Sequence, residues 1–203
     1  GKWKNERNPA LAEIMRAVSN PEVSEVVVMC GSQLGKTVLL LNIVGFHIAH
    51  DPAPILVVQP TLEMAAAWSK DRLANMLRDT PALRGKVADP RSRDSGNTTF
   101  HKVFPGGHIT IVGSNSPASL ASRPIRIVLV DELDRCARSA GAEGDGVALA
   151  RRRSATFWNR KIVQVSSSTL KHLSRIEDAY KRSSRKQYWI PCHSCGEFQT
   201  LEW

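Results

Sequence analysis

No apolar run in this sequence approaches the ~20 residues needed to cross a bilayer. The longest, residues 38–48, is interrupted by Asn42 and His47. The opening Gly1-Lys2-Trp3-Lys4-Asn5-Glu6-Arg7 lacks the apolar stretch of a secretory leader. A soluble, intracellular chain with no membrane partner is therefore expected. Cysteine is scarce: 4 in 203 residues are too few and too scattered for a disulfide scaffold. Cys30 and Cys136 read as buried thiols, whereas Cys192 and Cys195 form a Cys-x-x-Cys. Internal repeats and low-complexity linkers are missing. With 42% hydrophobic and 23% charged residues, the composition is that of one folded domain, not of a disordered tail. Acidic side chains are in deficit, 19 against 28 Lys and Arg, for a formal charge of +9. That surplus suggests a polyanionic partner, the alternative being a generally basic surface. It gathers in one stretch, with Arg151, Arg152, Arg153, Arg160, Lys161, Lys171, Arg175, Lys181, Arg182, Arg185 and Lys186.

Short β-branched runs alternate with longer helical stretches. Residues 26–29, 55–58, 127–130 and 161–165 read as buried strands, and 36–50, 62–77 and 174–183 as helices. Residues 102–104 and 108–112, separated by Pro105-Gly106-Gly107, are set to pair as a hairpin. Residues 138–146 are glycine-rich and are expected to be mobile. Continuous apolar strands alternating with helices point to an α/β fold, a mainly parallel sheet with helices on both faces.

Between the first strand and the first long helix lies Cys30-Gly31-Ser32-Gln33-Leu34-Gly35-Lys36-Thr37. A nucleotide phosphate site needs backbone N–H groups, a helix N-terminus and one lysine, and this segment supplies all three. Gly35 lets the backbone approach closely, Lys36 reaches the β- and γ-phosphates, and the Thr37 hydroxyl holds Mg²⁺. The usual glycine of this motif is replaced by Cys30, read as a small loop residue and not a nucleophile. The strand 127–130 ends in Asp131-Glu132, and in a parallel sheet ligands sit at the C-terminal strand ends. Asp131 then holds Mg²⁺ and Glu132 deprotonates the attacking water. The bland alternative is a turn cap beside a solvated glutamate. Ser166-Ser167-Ser168-Thr169 follows the fourth strand, placed either to sense a γ-phosphate or to cap the next helix.

Taken in order, these segments resemble the large terminase subunit of tailed bacteriophages, of the lambda-like kind. The resemblance rests on Glu13-Ile14-Met15, Asn20-Pro21-Glu22-Val23, the loop 31–37 and Gln59-Pro60-Thr61-Leu62. It continues through Asp131-Glu132-Leu133-Asp134, Glu143-Gly144-Asp145, Arg160-Lys161-Ile162-Val163, Ser167-Ser168-Thr169 and Tyr188-Trp189-Ile190-Pro191-Cys192. It implies a P-loop NTPase of the ASCE/RecA-like type, an ATP-driven motor that packages double-stranded DNA. Carried over by position, Gly31, Ser32, Gln33, Leu34, Gly35, Lys36, Thr37, Ser168 and Thr169 contact ATP. Thr37 and Asp131 hold Mg²⁺, and Glu132 with Lys36 performs catalysis. Arg123 takes the place of an arginine finger serving a neighbour's ATP, with Arg152 and Arg153 as competitors and a solvent-facing loop arginine as the alternative.

Residues 1–186 would then form the ATPase domain. Residues 187–203 would begin a linker or an incomplete zinc-ribbon-like segment, and the family's nuclease domain would be absent from this chain. Three departures stand out: Ser32 where some relatives carry arginine, Leu170 where a proline follows the Ser-Thr pair, and Cys192-His193-Ser194-Cys195 in place of Cys-Pro-x-Cys. A stable zinc site is not expected here, since a structural site needs four ligands; a frayed tail or two free thiols is. The resemblance also implies self-assembly into a ring and partnership with a portal protein and a small terminase subunit, in host cytoplasm at the procapsid portal. DNA contact through the phosphate backbone would fall on residues 151–186, and Trp68, Trp158 and Trp189 read as core or interface aromatics. Two rival readings are a nucleic-acid helicase and a non-catalytic nucleotide-dependent assembly module.

Overall fold

The runs 55–58, 127–130 and 161–165 become inner strands of a sheet covered on both sides. The run 26–29, expected to be buried, forms an edge strand in which only Val28 is buried, since an edge strand has a partner on one side alone. The computed structural model describes residues 4–88, 96–116, 123–139, 144–170 and 172–200. Six strands form the main sheet: β1 (Glu25–Met29), β2 (Pro54–Gln59), β3 (His101–Phe104), β4 (Gly107–Gly113), β5 (Ile127–Val130) and β6 (Lys161–Ser166). Their spatial order is β1-β6-β5-β2-β4-β3. All neighbours run parallel except the β3–β4 hairpin at one edge. Every residue of β5 and β6 is buried, as expected of central strands with both faces covered.

Side chains alternate between two cores, as the period-2 pleat requires. Ile55, Val57, Ile109, Ile111, Ile127, Leu129, Val163 and Val165 point to one, with Leu39, Leu40, Ile43 and Val44 of helix α2 (Lys36–Ala49). Helix α1 (Pro9–Ser19) adds Leu11 and Val18 to this side. Leu56, Val58, Val112, Val128, Val130 and Ile162 point to the other, with Val147 and Ala150 of α5 (Gly146–Arg152) and Ile176 of α6 (Arg175–Lys181). The helix expected over 62–77 is α3 (Leu62–Ala67) continued through a π-helical turn, Trp68–Leu73, into α4 (Ala74–Asp79). Trp68 is buried in the core, but Trp158 is 83% and Trp189 50% exposed. Neither of those two is a core aromatic.

The C-terminal segment is not frayed. Strands β7 (Trp189–Pro191) and β8 (Phe198–Thr200) pair as a separate antiparallel hairpin, whose turn carries Cys192 and Cys195 as free thiols. Among the described residues no helix is long and apolar enough to cross a membrane. Glu143, Lys171 and residues 140–143 of the glycine-rich stretch lie outside the described residues.

Candidate active site

The strand order β1-β6-β5-β2 sets four loops side by side at the C-terminal edge of the sheet. They are the phosphate loop after β1, the serine loop after β6, the acidic pair after β5 and Gln59 at the end of β2. The hydrogen bond from Cys30 N–H to the Ser166 carbonyl, 3.2 Å, stitches the first two loops together. Burial raises the Cys30 thiol pKa, against the pull of Lys36. That fits a packing residue, not a nucleophile.

Within the phosphate loop Gln33 (φ 61°) and Gly35 (φ 94°) take left-handed conformations. Such turns curve a chain so that N–H groups converge on an anion. Gly35 is also closely approached: a Cβ there would lie 3.0 Å from Leu11 Cδ1 and 3.1 Å from Asn8 Nδ2. Asn8 donates to the Leu34 carbonyl at 3.1 Å, so the start of α1 braces the loop from behind. Ser32 and Leu34 are exposed on its outer side, and Thr37 is half-buried in the first turn of α2.

Lys36, 6% exposed, is the centre of the arrangement. Its ammonium donates to the Gly31 carbonyl at 2.9 Å and to Ser167 Oγ at 2.7 Å. Glu132 Oε1 lies 3.9 Å from the same nitrogen. A buried ammonium requires such partners.

Asp131 and Glu132 point to different environments. Asp131 is 5% exposed and accepts from Gln59 Nε2 at 3.1 Å. Burial raises its carboxyl pKa above the ordinary value, with the Gln59 hydrogen bond opposing the rise. Among the described residues no ammonium or guanidinium lies within 4.0 Å of it. Glu132 has φ 47°, a left-handed conformation that costs a residue with a Cβ roughly 1–2 kcal/mol. Its carboxylate stands between Lys36 and Arg135 Nε, 3.9 Å from each.

In the serine loop the residue that meets Lys36 is Ser167. Ser168 is exposed. Thr169 donates from both its N–H and its hydroxyl to Asp134 Oδ2, at 2.9 and 3.0 Å. Gln59, Asp134 and Arg135 were not singled out as site residues from the sequence. Gln59 and Asp134 carried one usable signal, their place in stretches on which the resemblance rests; their partners, 72 residues away for Gln59 and 32 to 42 for Asp134, left none.

Arg123 stands apart from this cluster. It is exposed on the segment that enters β5 from the N-terminal end, whereas Glu132 follows the C-terminal end. A four-residue strand spans about 13 Å. Arg123 lines a groove with His101, Thr110 and Phe100. Burial lowers the His101 and His108 pKa values, and the charge of Arg123 adds to the effect.

The basic stretch is partly structural. Lys161 is buried and donates to the Asn20 and Val23 carbonyls. Arg151 forms a two-pronged pair with Glu25 at 2.6 and 2.7 Å, and Arg175 donates from Nη2 to both carboxylate oxygens of Asp145, at 2.9 and 2.7 Å. Lys181 is paired with Glu177 and Lys186 with Glu13. Arg152, Arg182 and Arg185 are exposed.

A family model described as phage terminase large subunit gpA, ATPase domain, matches residues 1–203. The chain is similar to the terminase large subunit of Enterobacteria phage P21, 26% identical over 205 residues, covering 100% of this chain and 32% of that protein. It is similar to that of Escherichia phage lambda at 24% identity, again covering 100% of this chain and 32% of the relative. The chain thus spans about a third of the length of these curated relatives. In fold it is similar to the large terminase ATPase domain of Thermus phage P74-26, with TM-score 0.56 and 14% identity, over 93% of this chain and 76% of that one. A mutant of that domain gives TM-score 0.51 and 14% identity, over 87% and 72%.

Proposed function

The chain belongs to the family of phage terminase large-subunit gpA ATPase domains, and from that premise we propose that MgATP is hydrolysed at the edge formed by Lys36, Asp131 and Glu132 to drive double-stranded DNA into a procapsid. One observation carries the reading: the buried Lys36 ammonium, at a helix N-terminus, touches Ser167 and faces Glu132. A lysine, a carboxylate and a sensing hydroxyl from three separate loops meet where phosphates bind in this sheet type.

Residues 31–37 wrap the phosphates, with N–H groups and the α2 N-terminus opposing their charge. Lys36 releases Gly31 and Ser167 and turns to the β- and γ-phosphate oxygens. Freed from Lys36, the Glu132 carboxylate orients the attacking water and accepts its proton. The Thr37 hydroxyl and the Asp131 carboxylate are hard oxygen donors suited to magnesium, and a buried carboxylate with no ammonium or guanidinium within 4.0 Å among the described residues fits a bound cation. Magnesium there supplies neutralisation of charge on the phosphate oxygens. Ser168 and Thr169 complete the sensing loop.

Arg123, at the far end of β5 from Glu132, is placed to serve the site of a neighbouring copy in a ring, where it offsets transition-state charge. DNA contact falls to the exposed Arg152, Arg182 and Arg185, not to Lys161. The portal protein and the small terminase subunit are the partners this reading entails, at the procapsid portal in host cytoplasm.

Steady-state ATP hydrolysis with and without double-stranded DNA, over a range of protein concentrations, tests it. Glu132→Gln should lower turnover about 100-fold or more while MgATP binding persists. The rate per subunit should rise with concentration and with DNA. Failure of the wild-type chain both to bind and to hydrolyse MgATP overturns the reading. Turnover unaffected by Glu132→Gln removes the assigned mechanism.

A further inference from the structure

We propose that Asp134 is the positioning residue that holds the serine loop in register with Lys36 and ties that loop to helix α6. The proposal rests on the nucleotide site described above and assigns a role to a residue that meets that site only through the serine loop.

Asp134 sits in the short helical turn Leu133–Arg135 directly after the acidic pair. It grips the serine loop on both sides of Ser167. Its backbone N–H donates to Ser166 Oγ at 3.2 Å, and its Oδ2 accepts from Thr169 N–H at 2.9 Å and from Thr169 Oγ1 at 3.0 Å. Ser167, between these two anchors, delivers its hydroxyl to Lys36 at 2.7 Å. The other carboxylate oxygen, Oδ1, accepts from the N–H of Ile176 at 2.8 Å, in the first turn of α6. Ile176 is fully buried, so that end of the helix cannot yield without disturbing the core.

One carboxylate thus joins three segments: the end of β5, the loop after β6 and the start of α6. The nearby Ser174 side chain also favours the ionised carboxylate. Burial pushes the Asp134 carboxyl upward, but Ile176, Ser174 and Thr169 together outweigh it and hold the pKa below the ordinary value. Asp134 is therefore ionised at neutral pH, and its hydrogen bonds are charge-assisted. In the proposed function Lys36 gives up Ser167 as it turns to the γ-phosphate, so the loop responds when nucleotide binds. Asp134 passes that response to α6, which is followed by the exposed Arg182 and Arg185.

The test uses the full chain. Asp134→Asn replaces one carboxylate oxygen by an amide that cannot accept from its present partner. Binding of a fluorescent ATP analogue with Mg²⁺ should stay within about twofold, because Asp134 makes no contact with the phosphate loop. Turnover should fall about tenfold or more, with little change in KM, and stimulation by DNA should be lost. Thr169→Val removes the hydroxyl from the other partner and should likewise lower turnover about tenfold or more, whereas Thr169→Ser keeps the hydroxyl and should retain wild-type turnover. The double variant Asp134→Asn/Thr169→Val should be no slower than the slower single one, since both break one link. Normal turnover and normal DNA stimulation in Asp134→Asn or in Thr169→Val overturns the proposal. So does parallel loss of nucleotide affinity and turnover in Asp134→Asn, which marks a merely structural residue. A wild-type chain inert toward MgATP is the separate result that removes the nucleotide reading itself, and this one with it.

Discussion

Replacing Gly35 by alanine tests whether the bracing of the phosphate loop is physical. Two costs meet at this position. The backbone has φ 94°, a region that costs a residue with a Cβ about 1 kcal/mol or more. The new methyl would also lie 3.0 Å from Leu11 Cδ1 and 3.1 Å from Asn8 Nδ2. Leu11 is 3% exposed and sits in the core, so it yields only by shifting α1. Overpacking of this kind costs about 1–3 kcal/mol, which brings the total to about 3 kcal/mol. Gly85 is the control, because its φ is 74° and nothing lies within 4 Å of a Cβ built there. Gly85→Ala therefore bears only the backbone cost, about 1 kcal/mol. For a chain of this size each kcal/mol moves the melting temperature by about 2–4 °C. Thermal melts should then show Gly35→Ala down by about 6–12 °C and Gly85→Ala by about 2–4 °C. MgATP affinity should fall in Gly35→Ala alone, since the loop loses its curvature and the Asn8 brace. Equal melting shifts in the two variants, or unchanged nucleotide affinity in Gly35→Ala, would refute the close approach of α1 as the loop's support.

Further outcomes follow from buried and exposed polar groups. Gln59→Leu removes the donor that favours ionised Asp131, so the acidic limb of the kcat/KM profile against pH should move to higher pH. The linkage has a definite sign: the Asp131 pKa is raised in the fold, so its stabilising contribution exists at low pH and is lost as pH rises through the folded value. At neutral pH the buried charge is a burden, and Asp131→Asn should raise the melting temperature while abolishing Mg²⁺-dependent hydrolysis, checked by melts and turnover on one preparation. Lys161→Met leaves the Asn20 and Val23 carbonyls without their donor and should lower stability by about 1–3 kcal/mol. DNA affinity and its salt slope should not change in that variant, whereas Arg182→Ala with Arg185→Ala should make the slope shallower.

The inner strands were legible because burial on both faces favours apolar runs. β5 is one, β2 holds one before Gln59, and β6 keeps Ile162, Val163 and Val165 around a buried Gln164, whereas β1, at the sheet edge, buries only Val28. The phosphate loop was legible because its requirements are local: a tight turn, a glycine and a lysine at a helix start. Helix α5 was hidden by the glycine-rich stretch before it. The ordered β7–β8 hairpin was hidden by the bareness of its two cysteines. In the serine loop the segment was legible, but the residue facing Lys36 was not. Ser166, Ser167, Ser168 and Thr169 offer similar hydroxyls, and only the backbone course decides which one turns inward. The basic stretch misled most. Charge in sequence does not distinguish Lys161, consumed inside the fold, from Arg182, left outside it.

Sequence by itself determined the sheet class, the loop 31–37 at the start of α2 and the acidic pair at the end of β5, because each depends on residues within a few positions of one another. Tertiary structure alone decided the strand order that sets four loops along one edge. It decided that Lys36 meets Ser167 across 131 residues, that Gln59 steadies Asp131 across 72, and that Asp134 gathers Thr169 and Ile176 from 35 and 42 residues away. The physical reason is reach. A turn or a buried strand is specified by its own neighbours, but a hydrogen bond between loops exists only after parallel strands have been brought into register by the core between them.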